Sequence, residues 1–218
     1  LPALLRDAAN PGFEEAIGDL ITLSITPAYL QKVGLVEEKR AASQDTDALV
    51  LLHRALDRVA FLPFAMAVER WRWQVLSGQT PPERWNTSWW ELRRRYQGVT
   101  PPEPRGEAFF DPGAKYHVPA SVPYLSYFMA SVVQFQLHRG LCRAAGHQGP
   151  LHTCSLYGDK QSGEKLWRLL SAGASLDSRE AMRLAIGETQ LDATAMVEYF
   201  APLVDWLRAQ NRGQTCGW

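Results

Sequence analysis

Apolar residues recur three or four positions apart along most of this 218-residue chain, and that spacing restricts it to packed amphipathic helices. Near the start, Phe13, Ile17 and Leu20 follow the pattern, and it continues at greater length after residue 45. The alternation of apolar and polar residues that is typical of strands is nearly absent. The sequence therefore predicts a mainly α fold, with no convincing domain boundary.

The same periodicity gives the expected helix boundaries. We expect helices over residues 12–26, 45–76, 82–96, 122–145, 162–172, 178–186 and 192–210. Pro63 should kink or divide the second helix, because proline lacks an amide donor and clashes with the preceding turn. Prolines and glycines make residues 97–118 an irregular loop, and Pro119 favours an extended Val118.

Composition narrows the class of protein. Hydrophobic residues make up 46% and charged residues 21%, as in a soluble globular protein. Lys plus Arg (23) equals Asp plus Glu (23), which gives no support to binding of nucleic acid or an anionic membrane surface. No apolar run approaches the roughly 18–20 residues of a membrane span. The chain begins at Leu1 rather than Met, so we expect it to be a piece of a longer product.

Two groups of polar residues could carry chemistry. Glu15 and Asp19 lie four residues apart, so both carboxylates project from one helix face, as metal-site residues or as acidic residues that complement the helix dipole. Lys115, His117 and three tyrosines, among them Tyr124 and Tyr127, fall within thirteen residues. A loop can direct such side chains into a cleft, although a loop histidine and tyrosines packed at a helix start would look the same.

Aromatic and cysteine residues leave further alternatives open. Trp89 and Arg93 belong to a Trp- and Arg-rich stretch that is either core packing or a buried anion site. Cys142 and Cys154 close a short loop that suits a disulfide in a secreted protein, or they are two free thiols in a cytosolic one. Asn86 begins a glycosylation sequon. The odd count of three cysteines leaves Cys216 without an assigned partner.

Several segments, taken in order, resemble those of the angiotensin-converting-enzyme family of zinc peptidases. The resemblance runs from Leu1 to about Gln210. The matching blocks are residues 9–13, 15–19, 61–64, 71–73, 77–78, 80–82, 89–90, 96–98, 110–111, 113–115, 117–119 and 134–136. It implies the C-terminal portion, over residues 1–218, of one large helical peptidase domain with a deep central cleft, which removes dipeptides from the C-terminus of peptides.

The resemblance also implies a role for each candidate residue. Glu15 matches the third zinc ligand of the family, and Asp19 matches a carboxylate that orients a zinc-bound histidine. Lys115 and Tyr124 match residues that hold the terminal carboxylate of the peptide substrate. His117 and Tyr127 match groups that hydrogen-bond the scissile region and its oxyanion. The remaining matches are Trp89 and Arg93 in a chloride site and Cys142 with Cys154 in a disulfide.

The departures from the family pattern matter equally. The H-E-x-x-H helix, with two zinc ligands and the general base, is absent from the chain, so the chain by itself is expected to be inactive. Glu14 stands where the family usually has histidine, Ser126 where well-studied members have a chloride-binding arginine, and Ser131 where an aromatic is common. Chloride activation is thereby put in doubt.

Three interpretations follow. The first is an extracellular or cell-surface zinc peptidyl-dipeptidase, which leaves open a membrane anchor outside this chain. The second is a catalytically inactive relative that acts as a binding or adhesion module. The third is a truncated product that never folds stably, with apolar faces at Phe61 and Phe64 left without partners.

Overall fold

The protein is helical throughout the part of the chain that is described, which is residues 1–37 and 44–215 of this computed structural model. Within those residues no strand occurs and eight α-helices follow one another. They are α1 (Pro11–Leu23), α2 (Pro27–Lys32), α3 (Gln44–Leu76), α4 (Trp85–Gln97), α5 (Leu125–Ala144), α6 (Lys160–Ala172), α7 (Ser178–Ile186) and α8 (Thr194–Gln210). The mainly α prediction is confirmed. Cys216, whose partner was open, lies outside the described residues.

Local sequence signals explain where these helices begin and end. The side chain of Asn10 accepts a hydrogen bond from the Gly12 amide at 2.8 Å, and Pro11 supplies the first residue of α1. Asp177 caps α7 in the same way, through the amides of Arg179 and Glu180. Gly98 ends α4 with φ of 68°, a left-handed conformation that glycine adopts without strain.

Two expectations about the backbone were wrong: the division, though not the kink, expected at Pro63, and the extended Val118. Pro63 does not divide the long helix, which runs unbroken through it as α3. The carbonyl that Pro63 cannot bond belongs to Val59, a residue that is 41% exposed. Val118 is not extended: its amide donates to the Lys115 carbonyl at 2.8 Å and its carbonyl accepts from Ser121, which places it in a turn.

The chain divides into two compact units. The first comprises Leu1–Ala55 and Met129–Trp218. Its core combines residues of α1, α5, α6 and α7, namely Phe13, Ala16, Leu20, Ala130, Val133, Leu137, Leu141, Leu169, Ala181, Met182 and Ala185. Burial of these side chains is the main source of its stability. In the part of the chain that is described, none of the helices combines the length and apolar character needed to cross a bilayer.

The second unit comprises Leu56–Phe128. Its core is strongly aromatic: Trp71, Trp89 and Tyr124 are buried, and Phe61 and Phe64 pack against them. Phe61 and Phe64, which the third interpretation left without partners, therefore contact the core of their own unit. The Trp- and Arg-rich stretch thus contributes to core packing, and the same core supports the polar residues described next.

Candidate functional site

A tight turn in the second unit returns the chain from the irregular loop to the start of α5. A short 3-10 helix over Asp111–Ala114 leads into it. Within the turn the Ala120 amide donates to the Tyr116 carbonyl at 3.1 Å, and the Val122 amide donates to the His117 carbonyl at 2.9 Å. These bonds fold the chain back on itself, so that His117 faces the first turn of α5.

The structure brings His117, Tyr124 and Tyr127 into mutual contact. The ring of His117 lies 5.1 Å from the ring centre of each tyrosine, and the two tyrosine rings are 5.0 Å apart. Nε2 of His117 and the hydroxyl of Tyr127 are 3.1 Å apart, within hydrogen-bonding distance, and the tautomer of His117 decides which group donates. In its neutral form the imidazole has one donor, as the phenol has, and this contact uses one of the two.

Lys115 joins this group as its cation. Its Nζ lies 5.3 Å from the ring centre of Tyr124 and 5.8 Å from that of Phe64. Tyr124 is only 3% exposed, and burial raises the pKa of its phenol, which is therefore protonated and able to donate. An ammonium and a phenol beside an apolar wall form a suitable site for a carboxylate.

Glu15 and Asp19 lie in the first unit, on α1. Glu15 is exposed and Asp19 is half-buried, four residues apart on one face of the helix. A catalytic zinc normally takes three protein ligands. Glu15 fits as one of them, since its carboxylate is accessible and a second carboxylate lies one turn away, but the site needs two more ligands.

Arg93 on α4 is enclosed by aromatic rings. Its guanidinium carbon lies 5.3 Å from the ring centre of Phe64, 5.4 Å from that of Trp89 and 5.7 Å from that of Trp90. The Nε of Arg93 is buried without a hydrogen-bond partner, and burial lowers the pKa of the guanidinium. A partly desolvated cation with an orphan donor is a suitable environment for a small anion such as chloride.

Cys142 and Cys154 form a disulfide, which confirms the pairing. His138 lies beside it, with Nε2 3.5 Å from the sulfur of Cys142, and burial lowers the pKa of this histidine to about 4. These three residues are the one cluster, over residues 1–37 and 44–215, with three metal-ligating groups close together. Because both sulfurs belong to the disulfide, they cannot act as thiolate ligands for zinc.

Sequence reasoning did not identify two carboxylates that hold this region together. Glu69 on α3 is buried with Arg72 and accepts from the Tyr124 amide. Asp111 accepts hydrogen bonds from Arg105, from the Trp90 indole at 2.8 Å and from Asn86 at 3.1 Å. A Glu and an Arg three apart on a predicted helix were the only available signal for the first, and nothing local signals the second.

The glycosylation expected at Asn86 does not fit the structure. Asn86 is fully buried. Its side-chain nitrogen donates to Gly106 and Asp111, and its side-chain oxygen accepts from the Asp111 amide at 2.8 Å. A glycan on that nitrogen would have to leave this network, so the asparagine is a structural residue that holds the 106–111 segment on α4.

Comparison with known proteins identifies the family. A family model described as angiotensin-converting enzyme matches residues 1–218. The chain belongs to the angiotensin-converting enzyme family. The angiotensin-converting enzyme of Mesocricetus auratus is 49% identical over 217 residues, which are 98% of this chain and 16% of that protein. That of Theromyzon tessulatum is 42% identical over 206 residues, or 94% of this chain and 33% of that protein.

A third relative of the family is the angiotensin-converting enzyme-like protein Ace3 of Mus musculus, which is 42% identical over 221 residues. The match covers 100% of this chain and 30% of that protein. The chain therefore spans between about a sixth and a third of the length of these members of the angiotensin-converting enzyme family.

Occupancy of the sequon tests the burial of Asn86 in this family member. We expect the Asn86 side chain to carry no glycan when the protein is made in a secretory host, because both ends of its amide are bonded inside the fold. Mass spectrometry of the peptide that contains residue 86, with and without enzymatic deglycosylation, measures this. A glycosylated Asn86 in folded protein would contradict the described network.

The Asp111 network predicts a pH-dependent stability. Hydrogen bonds from Arg105 chiefly, and from Trp90 and Asn86, hold the pKa of Asp111 well below its ordinary value. The stabilisation is complete above the ordinary pKa of about 3.9 and is lost as the pH falls toward the lower pKa of the fold. We expect Asp111→Asn to lower the free energy of unfolding by about 1–3 kcal/mol at neutral pH.

Urea denaturation at a series of pH values measures this difference. The gap between the wild type and Asp111→Asn should narrow below about pH 4, where the carboxyl of the unfolded chain becomes protonated. Asp205→Asn is the control, since the Asp205 side chain is 75% exposed and pairs with Arg208 on the surface. A gap that is independent of pH would show that the charge of Asp111 is not what stabilises the loop.

Proposed function

We propose that this chain is part of a zinc peptidyl-dipeptidase domain, which releases dipeptides from the C-terminus of peptides. The observation that carries the proposal is the grouping of Lys115, His117, Tyr124 and Tyr127 on one turn and the start of α5. Family membership supports the reaction class. The turn and the start of α5 would form part of the wall of a deep cleft in a larger helical domain.

Lys115 and Tyr124 would bind the terminal carboxylate of the peptide. The ammonium supplies charge and the protonated phenol supplies a directed hydrogen bond, and charge-assisted bonds of this kind are about twice as strong as neutral ones. Because Tyr124 is packed among aromatic rings, its hydroxyl would keep a fixed position, and the carboxylate of the substrate would have to bind at that position. Fixed recognition of the end of the peptide would place the cleaved bond a set distance from that end.

His117 and Tyr127 would act on the scissile bond itself. Their contact, at 3.1 Å between Nε2 and the hydroxyl oxygen, orients both groups before substrate binds. Donors fixed in advance stabilise the negative charge that develops on the carbonyl oxygen of the substrate. Their contact and their chemistry support the proposal that they would bind the peptide carbonyl and its tetrahedral oxyanion.

Glu15 would be the one zinc ligand that this chain contributes, and Asp19 would orient a neighbouring ligand. A bound zinc supplies Lewis-acid activation of water and of the substrate carbonyl. The two remaining protein ligands would have to come from outside these 218 residues. Chloride is the second ion we propose, at Trp89 and Arg93, where the orphan Nε offers a donor.

The disulfide between Cys142 and Cys154 supports the further proposal that the protein is extracellular or lies at the cell surface, since disulfides persist in oxidising compartments.

Turnover in a longer, zinc-loaded protein that includes this chain tests the proposal. We expect release of a dipeptide from an N-terminally blocked tripeptide, detected by mass spectrometry. Tyr127→Phe should lower kcat about 10²–10³-fold, as loss of an oxyanion donor does. Tyr116→Phe is the matched control, because Tyr116 lies in the same turn but is 72% exposed.

The rival interpretation, an inactive binding or adhesion module, predicts the opposite result. A protein that binds zinc and folds but releases no dipeptide would contradict the peptidase proposal and favour the module.

A further inference from the structure

A buried ion pair on α3 lies outside the set of residues with a proposed chemical role. Glu69 is 8% exposed and Arg72 is 9% exposed. The Arg72 guanidinium donates to Oε2 of Glu69 at 2.9 Å, three residues apart on the helix. Burial of two charges carries a large desolvation cost, and such a pair is weak evidence for a purely stabilising role. A second contact of Glu69 indicates what the pair does.

That contact joins Glu69 to the start of α5. The same Oε2 accepts a hydrogen bond from the backbone amide of Tyr124, also at 2.9 Å. Amides at a helix start have no partner within the helix, and a negative charge is favoured there. The carbonyl of Tyr124 in turn accepts from the Tyr127 amide at 3.2 Å. The backbone is thereby held on both sides of Tyr124, in a turn that also carries Tyr127.

The position of the Tyr124 phenol follows from that of its backbone. Phe61 and Phe64 contact its ring, with ring centres 5.9 and 6.0 Å away, and so limit its rotation. With the amide held by Glu69 and the ring held by these aromatics, the hydroxyl has little freedom. Arg72 keeps the Glu69 oxygen directed at the amide, since the two donors share that oxygen.

We propose that Glu69, held by Arg72, is a positioning residue that fixes Tyr124 for recognition of the terminal carboxylate of the peptide substrate. The inference rests on the proposed function, because it assigns Tyr124 the carboxylate-binding role given above. It adds a residue from α3 that does not touch substrate. It also gives a role to a charged pair that is buried in the same unit as the apolar core.

A comparison of two substrates separates positioning from general stability. We would measure kcat/KM of a longer, zinc-loaded protein containing this chain for a blocked tripeptide with a free C-terminal carboxylate and for the same tripeptide as its amide. Glu69→Ala should lower the acid-to-amide ratio of kcat/KM about 10–100-fold, mostly through KM for the acid, as small displacements of a binding group do. A merely structural role would lower both values equally.

Two further variants and a control complete the design. Glu69→Gln keeps an oxygen that can accept a hydrogen bond from the Tyr124 amide. It should therefore lower the acid-to-amide ratio of kcat/KM less than Glu69→Ala does. If Glu69→Ala does not fold, as judged by its thermal transition, Glu69→Gln and Arg72→Gln decide the question. Glu91→Ala is the matched control. Glu91 pairs with Arg84 at 2.8 Å in the same unit, but both side chains are more than half exposed.

The possible results distinguish this inference from the proposed function. If Tyr124→Phe lowers the acid-to-amide ratio while the Glu69 and Arg72 variants leave it unchanged, the positioning role is overturned and the carboxylate site stands. If neither Tyr124→Phe nor Lys115→Ala changes the ratio, the carboxylate site itself fails, and the role of Glu69 fails with it. A fall in the ratio for the Glu69, Arg72 and Tyr124 variants, but not for Glu91→Ala, supports both.

Discussion

The cluster of Lys115, His117, Tyr124 and Tyr127 depends on two carboxylates outside it. They belong to Asp111 and Glu69. The Asp111 carboxylate accepts hydrogen bonds from Arg105, Trp90 and Asn86, and two of these donors, Trp90 and Asn86, lie on α4. The irregular loop is thereby bound to α4. Glu69 ties α3 to the start of α5. Between these two anchors lies the turn that carries the lysine and histidine. The cluster is therefore held by a buried carboxylate, Glu69, and a partly buried one, Asp111, each with several hydrogen-bond donors.

The chemistry of the cluster is that of recognition and charge stabilisation rather than of a complete catalyst. A lysine and a phenol suit a carboxylate, and an imidazole beside a second phenol suits a developing oxyanion. Zinc chemistry requires more ligands than α1 provides. A need for ligands beyond α1 agrees with the extent of the chain, which covers 16% of the Mesocricetus auratus protein. In the proposed function, the lysine, the histidine and the two tyrosines would bind the substrate and its oxyanion, and the metal-activated water would depend on other parts of a longer protein.

Sequence alone predicted those features that arise from local interactions. The limits of α7 at residues 178 and 186 were predicted as found, because an aspartate cap and a left-handed glycine bracket the helix. Pro63 does not divide α3, because the effect of a proline on a long helix depends on tertiary surroundings that the local sequence does not contain. Lys115 and Tyr124 stood out in a segment rich in polar and aromatic residues, and the family resemblance implied their carboxylate-binding role. The contact between Glu69 and Tyr124 could not be predicted, since 55 residues separate them and only the fold brings them together.

The central claim is that Glu15 of this chain is a zinc ligand in a peptidase. X-ray data from crystals of a longer protein containing the chain, collected on both sides of the zinc absorption edge, test it most directly. We expect an anomalous peak from a zinc ion beside Glu15, with a distance of about 2.0–2.2 Å between the zinc and a carboxylate oxygen of Glu15. A fully occupied zinc site whose ligands do not include Glu15 would contradict it.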